Sequence, residues 1–159
     1  MVAFYVETSA LIKRYRTEKG TEVVNAVFGR EPPSVTLFVS HLVTVEVESA
    51  AIRALNGKAL NRTAYGVMLR AFAEDLGRMV VLPIAPQLLP EAAQLAREHA
   101  LRALDALHFA TVVRLSRVTK EPIVFVASDR DLLRASREKG FATLDPEEAN
   151  AGDKLQTIK

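Results

Sequence analysis

The chain has 159 residues, of which 49% are hydrophobic and 25% charged, so it is long enough for one domain with a full apolar core. It has no cysteine, which excludes disulfides and thiolate-held metals, and its net charge of +2 gives only mild support for a polyanionic partner. No apolar run reaches the ~18 residues of a membrane span, and residues 1–6 are too short and too uncharged for a signal peptide, so a cytoplasmic protein with no membrane association is expected.

Apolar runs alternate with helical patterns, without repeats or an interdomain linker. This is the signature of an α/β domain with a parallel sheet. Residues 2–6 read as a buried strand, followed by a helix over 9–15 that Thr8 and Ser9 can cap. A helix over 21–28 carries Val23, Val24, Val27 and Phe28 as its stripe, and Pro32-Pro33 marks a loop before a strand over 35–39. Helices over 43–55, closed by Asn56-Gly57, and 60–76, with Leu60, Ala64, Val67, Met68, Ala71 and Phe72 at helical spacing, form a hairpin. A strand over 79–84, helices over 90–99 and 104–115, a strand over 123–127, a helix over 131–139 ending at Gly140 and a strand over 141–144 complete the pattern. The tail after Pro146 is polar and expected to fray, which divides the chain into one domain over 1–146 and a tail over 147–159.

Four carboxylates stand at the ends or starts of these elements, beside apolar residues. Glu7 ends the first strand, at the carboxyl edge where parallel sheets bind ligands; alternatively it simply leaves the sheet into solvent. Glu46 lies early in its helix, on the border of the apolar stripe. Glu48 points elsewhere and is accounted for by the helix dipole, worth ~0.3–1 kcal/mol. Asp105 shares a face with Phe109 and Val112, although aspartate is a poor helix former. His108, three residues on, can reach Asp105 and reads as a buried orienting or packing residue, whereas His41 and His99 read as structural or surface. Asp129 follows the strand over 123–127. Ser128 and Asp131 fit a capping box, which explains Asp131 and leaves Asp129 as the site candidate, with Asp131 as an auxiliary. Oxygen ligands of this kind suit Mg²⁺ or Mn²⁺.

The stretches FYVETSALIKRY (4–15), VTVEVESAAIR (43–53), LRALDALHFATVVRL (101–115) and IVFVASDRDLLRAS (123–136) resemble, in that order, the PIN-domain family and most closely its VapC-like toxin branch. The family's first acid, normally aspartate, falls on Glu7, its hydroxyl position on Ser9, and its later acids on Glu46, Asp105 and Asp129. The resemblance implies a three-layer α/β/α sandwich around a mainly parallel sheet. It also implies Mg²⁺- or Mn²⁺-dependent endoribonuclease activity on RNA, a homodimer, and a small antitoxin partner of a type II toxin–antitoxin pair. On this reading Ser9 orients a ligand or phosphate. Lys13, Arg14 and Arg130 lie near the mouth and hold the RNA backbone, unless they are ordinary solvated charges. Glu7 departs from the pattern by one methylene. The alternative is therefore a catalytically weakened PIN-like dimer that binds RNA or an antitoxin without cutting.

Overall fold

The first strand, β1 (Val2–Val6), is buried along its whole length. Val2, Phe4 and Val6 enter one apolar layer, while Ala3 and Tyr5 enter another. Burial on both faces is what a central strand of a parallel sheet requires. The computed structural model describes residues 2–30 and 32–158; Met1 and Lys159, the outer ends of the expected domain and tail, lie outside the described residues, as does Glu31.

The sheet has five strands in the order β3-β2-β1-β4-β5, with β2 (Val35–Ser40), β3 (Val80–Leu82), β4 (Ile123–Val126) and β5 (Ala142–Leu144). Every pairing is parallel; Phe4 stands beside Leu37 on one side and Val124 on the other. One face is covered by α1 (Thr8–Leu11), α2 (Thr21–Phe28), α3 (Leu42–Asn56), α4 (Arg62–Leu76) and α8 (Ala151–Thr157). The other is covered by α5 (Leu89–His99), α6 (Ala103–Val118) and α7 (Arg130–Glu138). This is the expected three-layer α/β/α sandwich. Among the described residues no helix is long and apolar enough to cross a membrane.

Most element ends coincide with the sequence reading or differ from it by one to three residues, but the helix expected over 9–15 does not hold: α1 ends at Leu11 and a 3-10 turn over Ile12–Arg14 follows. The tail is a larger difference. It does not fray but forms α8, whose Ala151 and Leu155 are buried in the first core layer. Arg30 donates to the carbonyls of Leu155 and Ile158, satisfying the end of that helix. Gly20, at φ +91°, makes room for the tail, because a Cβ there would lie 2.8 Å from Pro146 Cβ. Two apolar residues four apart were too little pattern to reveal a helix whose order comes from the surface it covers.

Candidate metal and active site

β1 and β4 end side by side, with Val6 opposite Val126 and Glu7 N–H donating to the Val126 carbonyl at 2.9 Å. Glu7 and Ser128-Asp129 therefore emerge together at the carboxyl edge of the sheet. Glu7 itself caps α1. Its Oε2 accepts from Ser9 N–H at 2.9 Å and from Ser9 Oγ. Thr8 and Ser9 do not cap as expected; the extended backbone at Glu7 moves the helix start back by one residue. Ser9 Oγ instead accepts from Ser128 N–H at 2.8 Å and so ties the two strand ends together. At α7, too, a carboxylate rather than a hydroxyl takes the cap. Asp129, not Ser128, is the N-cap, with its Oδ1 accepting from Leu132 N–H at 2.9 Å. Asp131 is exposed, outside the cavity, and pairs with Arg134 at 2.9 Å.

Val43, Val47 and Ala51 turn α3 toward the sheet, which leaves Glu46 half-buried on the flank. Its Oε2 accepts from Thr8 Oγ1 and lies 2.7 Å from His108 Nε2. His108 is fully buried in α6. Its Nδ1 is 3.0 Å from the Tyr5 hydroxyl, and its Nε2 is 4.0 Å from Glu7 Oε1. In the neutral ring Tyr5 donates to Nδ1, which leaves Nε2–H to donate to Glu46. His108 is the buried residue expected, but it does not use its reach to Asp105, because the ring turns inward to Tyr5 and the two glutamates. Asp105, in the first turn of α6, faces Asp129, and Arg102 spans them: Nε donates to Asp105 Oδ2 at 3.1 Å and Nη2 to Asp129 Oδ2 at 3.3 Å.

The four carboxylates thus come from four elements and line one cavity of about 370 Å³, together with Thr8, Ser9, Ser49, Arg53 and Arg102. They form two groups. Glu7, Glu46 and His108 each place a ligand atom within 4.8 Å of the others; Asp105 and Asp129 form an outer pair. Burial raises the pKa of Glu7, against the opposing effects of His108 and Ser9. Burial also pushes Glu46 up, but the hydrogen bond and charge of His108, with Thr8, outweigh it and lower the carboxyl. Burial pushes His108 down and is outweighed by its hydrogen bond to Glu46 and by the charges of Glu7, Glu46 and Asp105, so its pKa lies above the ordinary imidazole value. Asp105 is raised by burial and by Asp129, with Arg102 opposing. Each acidic group has one basic side chain of the chain's own, His108 for the inner and Arg102 for the outer. Glu7 Oε1, Glu46 Oε1 and Asp105 Oδ1 accept no hydrogen bond among the described residues, so the donor set fits a hard divalent cation.

Lys13 and Arg14 do not line this cavity. The turn over Ile12–Arg14 rolls them away from it. Lys13 is buried and pairs with Glu147 at 2.6 Å and Glu18 at 3.6 Å. Arg14 forks onto Asp75, stacks on Phe28 at 4.5 Å and donates to Asn25. Arg130 is exposed at the start of α7, makes no ion pair among the described residues, and is not a lining residue. The cavity's cations are instead Arg53 and Arg102. Their spacing, seven after Glu46 and three before Asp105, puts each on its acid's helix face and was the available signal.

Carboxylates gathered at the carboxyl edge of a parallel sheet, within an α/β/α sandwich, define an acid-centred α/β domain. The chain belongs to the PIN domain family, whose model matches residues 4–138. Among solved structures it is similar to a Pyrobaculum aerophilum protein, PAE2754, at 24% identity and TM-score 0.64, covering 98% of this chain and 97% of that one. It is also similar to VapBC-1 of nontypeable Haemophilus influenzae, at 14% identity and TM-score 0.62, covering 92% and 100%. A third is VapC20 of Mycobacterium tuberculosis, described as a sarcin-ricin loop cleaving toxin, at 19% identity and TM-score 0.61, covering 87% and 96%. Comparison with curated proteins found no match.

Proposed function

We propose that this chain is a divalent-metal-dependent endoribonuclease, the toxin of a type II toxin–antitoxin pair, acting in the cytoplasm. The observation that carries the reading is the convergence of Glu7, Glu46, Asp105 and Asp129, from four elements, on one cavity. Membership of the PIN family and likeness to VapC and VapBC structures support it.

Glu7, Glu46, Asp105 and Asp129 would hold Mg²⁺ or Mn²⁺. When bound, such an ion supplies Lewis-acid stabilisation of charge on the phosphodiester and acidifies water. The chain's own residues keep the ligands in place. Ser9 fixes one oxygen of Glu7, Thr8 and His108 fix Glu46, and the α7 N-terminus fixes Asp129. Arg53 and Arg102 at the rim provide charge for the RNA backbone, in place of Lys13 and Arg14. Asp131, committed to Arg134, is left out of the set. Val45, Ile52 and Val67 expose apolar surface on the α3–α4 hairpin, which suits a homodimer or an antitoxin helix.

One observation favours a second reading, a weakened nuclease that binds without cutting: Glu7 commits one oxygen to capping its own helix. RNA cleavage with Mn²⁺, Mg²⁺ or EDTA, comparing wild type with Asp105→Asn and Glu7→Asp, separates the two. The proposal expects cutting that EDTA and Asp105→Asn abolish. Equal cutting by wild type and Asp105→Asn would remove the site assignment. Metal binding without cutting, with cutting restored by Glu7→Asp, would favour the second reading.

A further inference from the structure

We infer that Arg102 is a resident cation of the outer carboxylate pair, displaced when a divalent ion binds and thereby released to hold the RNA phosphate. This rests on the metal-dependent reading above. Arg102 is the N-cap residue of α6, with an extended backbone and no capping hydrogen bond from its side chain. The side chain thus does not cap its own helix. Its guanidinium reaches instead across the cavity mouth to one oxygen of Asp105 and one of Asp129, at 3.1 and 3.3 Å. Reaching two carboxylates with separate nitrogens suits the planar fork of a guanidinium better than the point charge of an ammonium.

Without a cation between them two carboxylates this close repel. Arg102 relieves that repulsion, as His108 does for Glu7 and Glu46. The two counter-ions differ in one respect. The His108 side chain is fully buried, whereas 81% of the Arg102 side chain is exposed. Exposed pairs are weak and readily exchanged. Arg102 therefore neutralises the outer pair at rest and yields it to a stronger cation. Because it lines the cavity wall, a released guanidinium stays at the site, where a phosphodiester offers the same bidentate geometry as a carboxylate. Cation and RNA should then bind with positive coupling, each favouring the state in which Arg102 has left the aspartates.

The test uses the full chain with Arg102→Gln and Arg102→Lys, both at an exposed position that should leave the fold intact by circular dichroism. Calorimetric titration with Mn²⁺ should show Arg102→Gln binding roughly two- to thirtyfold tighter than wild type, the range set by two exposed ion pairs. Arg102→Lys should fall between. Anisotropy of a fluorescein-labelled polyuridine, with Ca²⁺ or with EDTA, reads the coupling: Ca²⁺ should strengthen RNA binding by a larger factor in wild type than in Arg102→Gln. Equal Mn²⁺ affinities in wild type and Arg102→Gln would overturn the displacement, and equal Ca²⁺ gains would overturn the release onto phosphate. Both results leave the nuclease reading intact. Failure of either protein to take up Mn²⁺ would overturn that reading and this inference with it.

Discussion

Replacing His108 removes the basic side chain from the inner half of the site, and two substitutions divide its role. His108→Gln keeps a neutral donor near the position of Nε2; His108→Phe keeps only the volume of a ring. Removing one partner of a buried ion pair costs about 3–5 kcal/mol when the other stays charged and dry. The real cost should be lower. The Glu46 side chain is 20% exposed and opens onto the cavity, and Glu7 can take up a proton because burial already favours its neutral form. Losing a hydrogen bond to a charged group is worth ~1.5–3 kcal/mol, which sets the expected loss at roughly 2–3 kcal/mol for His108→Phe. His108→Gln, which keeps a donor, should lose about 1 kcal/mol. At ~2–4 °C per kcal/mol for a chain of this length, His108→Phe should melt roughly 4–12 °C below wild type in EDTA. Thermal denaturation followed by circular dichroism measures this, and Mn²⁺ should restore part of the loss because carboxylates alone can still hold it. A shift of under about 1 °C for His108→Phe in EDTA would refute the charge-compensation argument. Loss of all Mn²⁺ stabilisation in His108→Gln would instead make the imidazole a ligand.

Deleting residues 147–159 removes α8, the buried Ala151 and Leu155, the Arg30 contacts and the Lys13–Glu147 pair; urea denaturation should show a loss of about 3–5 kcal/mol, mostly from apolar burial and the lost hydrogen bonds. Asp75→Asn breaks the Arg14 fork and the Tyr15 hydrogen bond and should cost roughly 1.5–3 kcal/mol. Asp75 does not line the cavity, so Mn²⁺ affinity should be unchanged in calorimetry. Tyr5 and Tyr15 are both raised above the ordinary value of 10.0, chiefly by burial. Below that value both states carry the proton; above it only the unfolded chain gives it up, so stability falls as pH climbs past about 10. Phenolate absorbance of these two tyrosines should appear together with alkaline unfolding, and their ionisation in the still-folded protein would contradict the burial argument.

The sheet was legible because its central strands are apolar on both faces: residues 2–6 and 123–127 admit few other readings. The helices were legible from their stripes. What the sequence concealed depends on partners distant in the chain. Nothing local in Lys13 or Arg14 says that they reach Glu147 and Asp75, 134 and 61 residues away respectively. Capping was misjudged twice in the same way, at Ser9 and at Ser128, because a hydroxyl and a carboxylate lie side by side and both can cap. In each case the carboxylate takes the helix N–H and the serine backbone or hydroxyl links the two strand ends. The acids were legible as a set because each stands where a polar group is costly without compensation. Their division into two groups was not, since it follows from His108 and Arg102 reaching across the fold.

The extra methylene of Glu7 takes on a different meaning in this geometry. An aspartate at the same N-cap would also accept from the helix N–H, but its shorter arm would hold both oxygens near the strand end. Glutamate separates two tasks. Oε2 folds back to Ser9, while Oε1 stays toward His108 and within the group that also contains Glu46. The longer side chain is thus anchored at one oxygen, which restricts the freedom that a ligand at this position, as proposed, would otherwise lose on binding. The departure from aspartate lies at the one acid whose cap, strand-end tie and buried counter-ion all meet, where a longer reach can be held in place.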